Sequence, residues 1–196
     1  PECMNPTPVG MRCPECASQR TQVRTIASAT GGEPRATIAL IVACVIVFLA
    51  EGSWGVSGAG GPLTRDFALF GPLVADGEWW RLVTYGFLHG DLFHLAFNMF
   101  AVYMFGGALE LVFGPKRYLN YYLVCVIAAA IVQLVFAQVT GGFYPTVGAS
   151  GGVFGLLLAY AIYFPRNKLM LLFLPIPIPA RIFVGIYAAL ELFLGV

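Results

Sequence analysis

The chain has 196 residues, 59% of them hydrophobic and 11% charged, with a mean hydropathy of +0.80. A soluble domain is about 45–50% apolar even with glycine counted, so this composition excludes one and describes a membrane protein. The formal net charge of +1 comes with no basic face, which argues against nucleic acid as a partner. Residue 1 is proline rather than an initiator, and the first apolar run begins only near Thr37, so no signal peptide is visible.

The five cysteines fall into two groups. Cys44 and Cys125 lie inside apolar runs and read as small buried hydrophobes. Cys3, Cys13 and Cys16 lie in the polar N-terminus, the last two as C-x-x-C, a spacing that lets two thiolates grip one tetrahedral zinc. Three ligands are one short of a structural site. The favoured reading of residues 1–16 is a truncated cysteine-rich module holding a structural zinc, with its fourth ligand preceding Pro1; a remnant of such a module is the alternative. A disulfide is disfavoured on the reducing side of a membrane. Residues 17–36 are polar and read as a cytoplasmic linker.

From residue 37 to 196 the chain reads as a membrane domain. A first span covers Thr37 to Ala50, and a segment of amphipathic pieces, Phe67 to Val74 and Trp79 to Leu88, follows. There Trp79 and Trp80 beside Arg81 suit a headgroup region, where aromatic rings and a cation are both comfortable. The second span runs from about His94 to Phe113 and closes at Gly114-Pro115; the third runs from about Tyr118 to Val139. Gly141-Gly142 and Pro145 turn the chain into a fourth, Gly148 to about Phe164. Leu169 to Pro179 carries Pro175, Pro177 and Pro179, so it reads as an extended surface segment, and a fifth span begins near Ala180. The expected class is an all-α polytopic membrane protein cut at both ends.

Nine of the eleven lysines and arginines lie before the first span, after the second, or between the fourth and fifth; only Arg65 and Arg81 fall on the other side. That asymmetry predicts a multi-pass protein with a cytoplasmic N-terminus. Spans two and four then both enter from the outer face, which brings His94, Asn98 and Ser150 to similar depth. His94 and Asn98 are four residues apart and share a helix face. Ser150 opens a helix, where unpaired first-turn N–H groups favour a negative oxygen. The plain alternative is structural: Gly151 and Gly155 form a small-residue packing pair, and His94 and Asn98 merely bond neighbouring helices. Three polar groups at one depth favour a functional pocket. His89, His94 and Asp91 lack a fourth ligand and a common face, so a metal site is the weaker reading. Glu110, near the inner end of span two, reads as an anchor for backbone N–H groups rather than a general acid. Asp76, Glu78 and Asp91 read as solvated loop charges.

Four pieces in order and spacing resemble the rhomboid family of intramembrane serine proteases: Glu78-Trp-Trp-Arg81, His89-Gly-Asp-Leu-Phe-His94-Leu-Ala-Phe-Asn98, Gly106-Gly-Ala-Leu-Glu110 and Gly148-Ala-Ser-Gly151. The cysteine-rich N-terminus is similar to the small zinc-binding module that precedes the membrane core in some bacterial rhomboids. The resemblance implies a rhomboid-like helical bundle with five spans present and a sixth, base-carrying helix missing. It implies Ser150 as nucleophile, His94 and Asn98 as oxyanion donors together with the Ser150 N–H, Gly148 beside that hole, and Phe154 near the catalytic histidine. Trp80, Arg81 and Glu110 take structural roles. The implied activity is endoproteolysis in or near transmembrane helices of membrane protein substrates, by a Ser-His dyad with no catalytic cofactor, the fragment alone being inactive. The alternative is a non-catalytic relative that binds client transmembrane helices.

Overall fold

The computed structural model describes residues 5–7, 10–12, 33–52, 61–171 and 174–186. The chain divides into two units, Pro1–Glu33 and Pro34–Val196. In the first, strands β1 (Asn5–Thr7) and β2 (Gly10–Arg12) form an antiparallel hairpin in which Asn5 pairs with Arg12 and Thr7 with Gly10. Cys3, Cys13 and Cys16 lie outside the described residues.

The second unit is helical, and its boundaries follow turn chemistry. Helix α1 (Arg35–Glu51) starts behind Pro34 and stops at Gly52, whose φ of 67° only glycine adopts cheaply. Three short helices follow: α2 (Pro62–Phe67), α3 (Gly71–Ala75) and α4 (Arg81–Thr84), the last running into a 3₁₀ turn at Tyr85–Phe87. The second long helix has three parts: α5 (Leu92–Ala101), a widened π turn (Val102–Gly106) and α6 (Gly107–Phe113). Gly114 at φ 78° then reverses the chain, and Pro115, at a position where a missing N–H costs nothing, opens α7 (Pro115–Thr140). Helix α8 (Ser150–Tyr163) follows the loop after Gly141.

Two of these helices are long and apolar enough to cross a bilayer: Leu92–Phe113, with mean hydropathy 1.6, and Pro115–Thr140, with 2.4. At 1.5 Å per residue α7 is about 39 Å long and exceeds a hydrocarbon core, whereas α8, with 14 residues, reaches only about 21 Å. The α7 face carrying Val124, Val132, Val135 and Val139 is exposed, as expected of a surface that meets lipid. Its opposite face, with Tyr118, Tyr122, Val126 and Ala130, is buried in a core shared with Leu40 and Cys44 of α1, Val102, Leu109 of α6, and Leu156 of α8.

Helices α7 and α8 approach closely because α8 offers no side chains there. A methyl on Gly151 would lie 2.5 Å from Ala129 Cβ; one on Gly152 would strike the Tyr122 ring, and one on Gly155 the Cys125 sulfur. Tyr121 Oη adds a 2.7 Å hydrogen bond to the Gly155 carbonyl.

Glu110 ties α6 to α1. Its carboxylate accepts the Ala36 N–H (2.9 Å), the Thr37 N–H (2.7 Å) and the Thr37 hydroxyl (2.8 Å), which satisfies two first-turn donors that the helix itself leaves unpaired.

Two expectations need correction. Arg81 does not reach toward headgroups: it is 3% exposed, with Nε donating to Glu78 Oε2 at 2.6 Å and the guanidinium to the Ala68 carbonyl (2.8 Å) and the Arg65 carbonyl (3.2 Å). Its fork of donors gathers carbonyls at the C-terminal end of the short helix α2, which that helix cannot satisfy itself. Glu78 is therefore an ion-pair partner rather than a solvated charge. Asp91 is an exposed charge, as expected, and also caps α5, its Oδ1 accepting the His94 N–H at 2.8 Å.

The proline-rich stretch is extended, as expected, and its pieces pair as a two-stranded ribbon, β3 (Lys168–Leu171) with β4 (Leu174–Pro179). Pro177 and Pro179 sit opposite Met170 and Lys168, alternating with Ile178, which pairs with Leu169. Prolines at every second position lose only the N–H groups that would point away from the partner strand. Residues 180–186 are helical, and the rest of the expected fifth span lies outside the described residues.

Candidate active site

Ser150 is the first residue of α8, and its own helix supplies no side-chain cap. The first-turn N–H groups of α8 therefore point, unsatisfied by the helix, toward the space before it. Ser150 is exposed, whereas Ala149 and Gly148 behind it are buried. The loop leading to it is fastened at two points. Thr146 exchanges both backbone hydrogen bonds with Leu69, at 2.9 and 3.0 Å, and the Gly148 N–H donates to the Tyr85 carbonyl at 3.0 Å.

Gly148 is the meeting point. Its φ of 131° is a conformation that side chains resist, and a methyl placed on it would lie 2.8 Å from Cε1 and Nε2 of His94 and 3.7 Å from Ser150 Oγ. The imidazole of α5 and the hydroxyl of α8 thus border one small volume kept open by a missing side chain. Both helices begin at this same end of the bundle. Because the Gly148 N–H is committed to Tyr85, this residue contributes room rather than a free donor.

Asn98 is buried, and its Nδ2 donates to the His94 carbonyl at 2.9 Å, so one amide hydrogen is used and a second remains. His94 is half-buried. His89 packs against it edge to face, with ring centroids 5.2 Å apart and planes at 65°. His89 is 3% exposed, and its ring has only a weak polar interaction with the Phe87 backbone, outside ordinary hydrogen-bond geometry. Burial, and after it the charge His94 would carry, push the His89 pKa down from 6.5 to about 4, so it is neutral at physiological pH.

Phe154 follows one turn after Ser150 and is partly buried. Trp80 is half exposed, its indole N–H directed at the Asp66 carbonyl at 3.5 Å. Glu110 lies beyond the π turn from His94 and spends its oxygens on α1. Among the described residues no three His, Cys, Asp or Glu side chains gather as a metal site. Sequence reasoning passed over Tyr85, which holds the serine loop; its position four residues after Arg81 carries no motif that would have marked it.

Residues 76–196 match the family model for the rhomboid domain. The chain is 36% identical over 146 residues to the rhomboid protease GluP of Bacillus subtilis, covering 72% of this chain and 27% of that protein. It is 31% identical over 93 residues to rhomboid protein 1, mitochondrial, of Saccharomyces cerevisiae (46% of this chain, 27% of that protein). Against the human presenilin-associated rhomboid-like protein, mitochondrial, identity is 32% over 89 residues (45% and 24%). The chain spans well under two thirds of the length of these relatives. With its bundle of apolar helices and the rhomboid domain covering most of its length, the chain belongs to the rhomboid family and has that family's helical membrane fold.

Proposed function

We propose that this chain forms the core of an intramembrane serine endopeptidase in which Ser150 attacks a peptide carbonyl in or near a transmembrane helix of a membrane protein substrate. The observation that carries the reading is the convergence of His94 and Ser150 on the space at Gly148. A carbonyl oxygen entering that space becomes an oxyanion on attack. The donors within reach are the Ser150 N–H at the start of α8, the remaining amide hydrogen of Asn98, and His94 when its Nε2 carries the proton. Such prepositioned donors are worth about 3–4 kcal/mol each when the charge forms.

A serine hydroxyl also needs a base. The chain has two histidines, His89 and His94. The first is buried against the His94 ring and makes no hydrogen bond to Ser150 among the described residues, and the second is assigned to the oxyanion. The rhomboid resemblance implies a further histidine, neither His89 nor His94, as the base that takes the proton. A cytoplasmic N-terminus is part of the proposal; it is supported by nine of the eleven lysines and arginines falling on that side, and by Arg81, one of the other two, being internally paired. Cys3, Cys13 and Cys16 are proposed to hold a structural zinc with one further ligand, without a part in the chemistry.

The test is labelling of the full-length protein with a fluorophosphonate. Ser150→Ala should abolish both labelling and cleavage of a transmembrane substrate; labelling that persists in the alanine variant would sink the reading. A non-catalytic member that binds client helices is the second reading. It is favoured by one observation: among the described residues no imidazole is hydrogen-bonded to Ser150.

A further inference from the structure

Tyr85 touches three separate parts of the molecule. Its carbonyl accepts the Gly148 N–H at 3.0 Å and, with its second lone pair, the Leu88 N–H at 3.2 Å. Its hydroxyl donates to the Val126 carbonyl in the middle of α7 at 2.7 Å. The same hydroxyl oxygen lies 3.1 Å from where a methyl on Gly151, the residue after the serine, would stand. The next residue, Gly86, is packed so tightly on α7 that a methyl there would lie 3.0 Å from Val126 Cγ1. Tyr85 is 4% exposed, so none of these bonds competes with water.

We infer that Tyr85 is a positioning residue for the serine loop: its two ends clamp Gly148 to α7, and this fixes the direction in which Ser150 and the first-turn N–H groups of α8 point. The inference rests on the protease reading above for its catalytic consequence, and on geometry alone for the clamp. The chain of restraint is short. Val126 sits on a long, regular helix that cannot shift locally, so the phenol holds the backbone of residue 85 at a set height. The carbonyl at that height takes up the Gly148 N–H. Gly148, at φ 131°, has no side chain to hold it in place, and without this bond its peptide could rotate and carry the oxyanion space with it. Burial pushes the Tyr85 hydroxyl up to about 12, so it remains protonated, and a donor, at neutral pH.

Tyr85→Phe removes the hydroxyl and keeps the ring and the carbonyl. The Val126 carbonyl lies mid-helix and retains its helical partner, so no buried acceptor is stranded. Leu40→Ala, in the α1 core, serves as a control for simple loss of stability. Two measurements are made on the full-length protein well below the melting temperature of each variant. In hydrogen exchange followed by mass spectrometry, the peptide containing Gly148 should exchange on the order of tenfold faster in Tyr85→Phe and at the wild-type rate in Leu40→Ala. In fluorophosphonate labelling, the maximal inactivation rate should fall on the order of tenfold in Tyr85→Phe with the half-saturating probe concentration unchanged, and stay constant in Leu40→Ala.

Wild-type exchange at Gly148 in Tyr85→Phe overturns the clamp whatever the labelling does. Faster exchange with unchanged labelling overturns its role in positioning the serine. Equal losses in Tyr85→Phe and Leu40→Ala reduce it to general stability and overturn it as well. A wild-type protein that does not label at Ser150 counts against the protease reading, and the clamp is then judged on exchange alone.

Discussion

Replacing Glu110 by alanine offers a sharp test of how the first helix is held. Glu110 is 4% exposed and accepts three hydrogen bonds from Ala36 and Thr37, which are themselves 7% and 0% exposed. Hydrogen bonds to a charged group contribute about 1.5–3 kcal/mol each in net terms, and a buried donor stranded without a partner costs about 1–3 kcal/mol. Alanine strands the two N–H groups of the α1 first turn together, while relieving the cost of desolvating a carboxylate. The balance is a loss of about 4 kcal/mol. For a domain of this size, about 2–4 °C per kcal/mol makes that a fall of roughly 10 °C in melting temperature in detergent. Thr37→Val removes the hydroxyl bond to Glu110, together with the hydroxyl's interaction with Tyr118, and should cost about 1 kcal/mol. In the Glu110→Ala background the same valine should cost clearly less than in the wild type, because the shared acceptor is already gone. A fall below about 3 °C for Glu110→Ala, or additive losses in the double variant, would refute the account of the carboxylate as the tie between these helices.

Other substitutions probe the site and its frame. Gly148→Ala places a methyl 2.8 Å from the His94 ring at a φ of 131°, so labelling of Ser150 should fall by at least about a hundredfold; a wild-type labelling rate would contradict the proposed oxyanion space. The neutral, buried His89 makes stability depend on pH. Its pKa is lower folded than unfolded, so the unfolded chain binds more protons between pH 6.5 and about 4. Its contribution is therefore complete above pH 6.5 and is lost as pH falls toward 4, by up to about 3 kcal/mol. His89→Phe should flatten the dependence of melting temperature on pH in that window, as read by thermal scans. Arg81→Lys keeps the charge but replaces a fork that reaches Glu78, Ala68 and Arg65 by a single ammonium; proteolysis between residues 61 and 88 should quicken several-fold.

What the sequence disclosed tracks how local each determinant is. Gly114-Pro115 and Gly141 mark helix ends by backbone chemistry alone, so the bounds of the third span were readable to within a few residues. Ser150 at the head of an apolar helix, and His94 with Asn98 one turn apart, follow from periodicity in the same way. Arg81 was misread because its partners are carbonyls thirteen and sixteen residues away, which no local pattern encodes. Tyr85 escaped for the same reason, its hydroxyl partner lying 41 residues on. The β3–β4 ribbon was hidden by its prolines, which signal a break in a helix as readily as the outward side of a strand.

The widened turn at Val102–Gly106 explains how a single helix can serve both of its ends. Glu110 lies twelve positions beyond Asn98, which on an unbroken α-helix would set it about 120° around the axis, toward lipid. One extra residue accommodated in the wide turn takes back about 100° and leaves the two side chains about 20° apart. Accessibility follows the corrected wheel: Gly107, Leu109 and Glu110 are interior and Val112 is 45% exposed, whereas the unbroken wheel would turn Gly107 outward and Val112 inward. The irregularity acts as a phase adjuster. It lets the imidazole and amide near the serine, and the carboxylate that moors the first helix, look into the same interior from opposite ends of one rod.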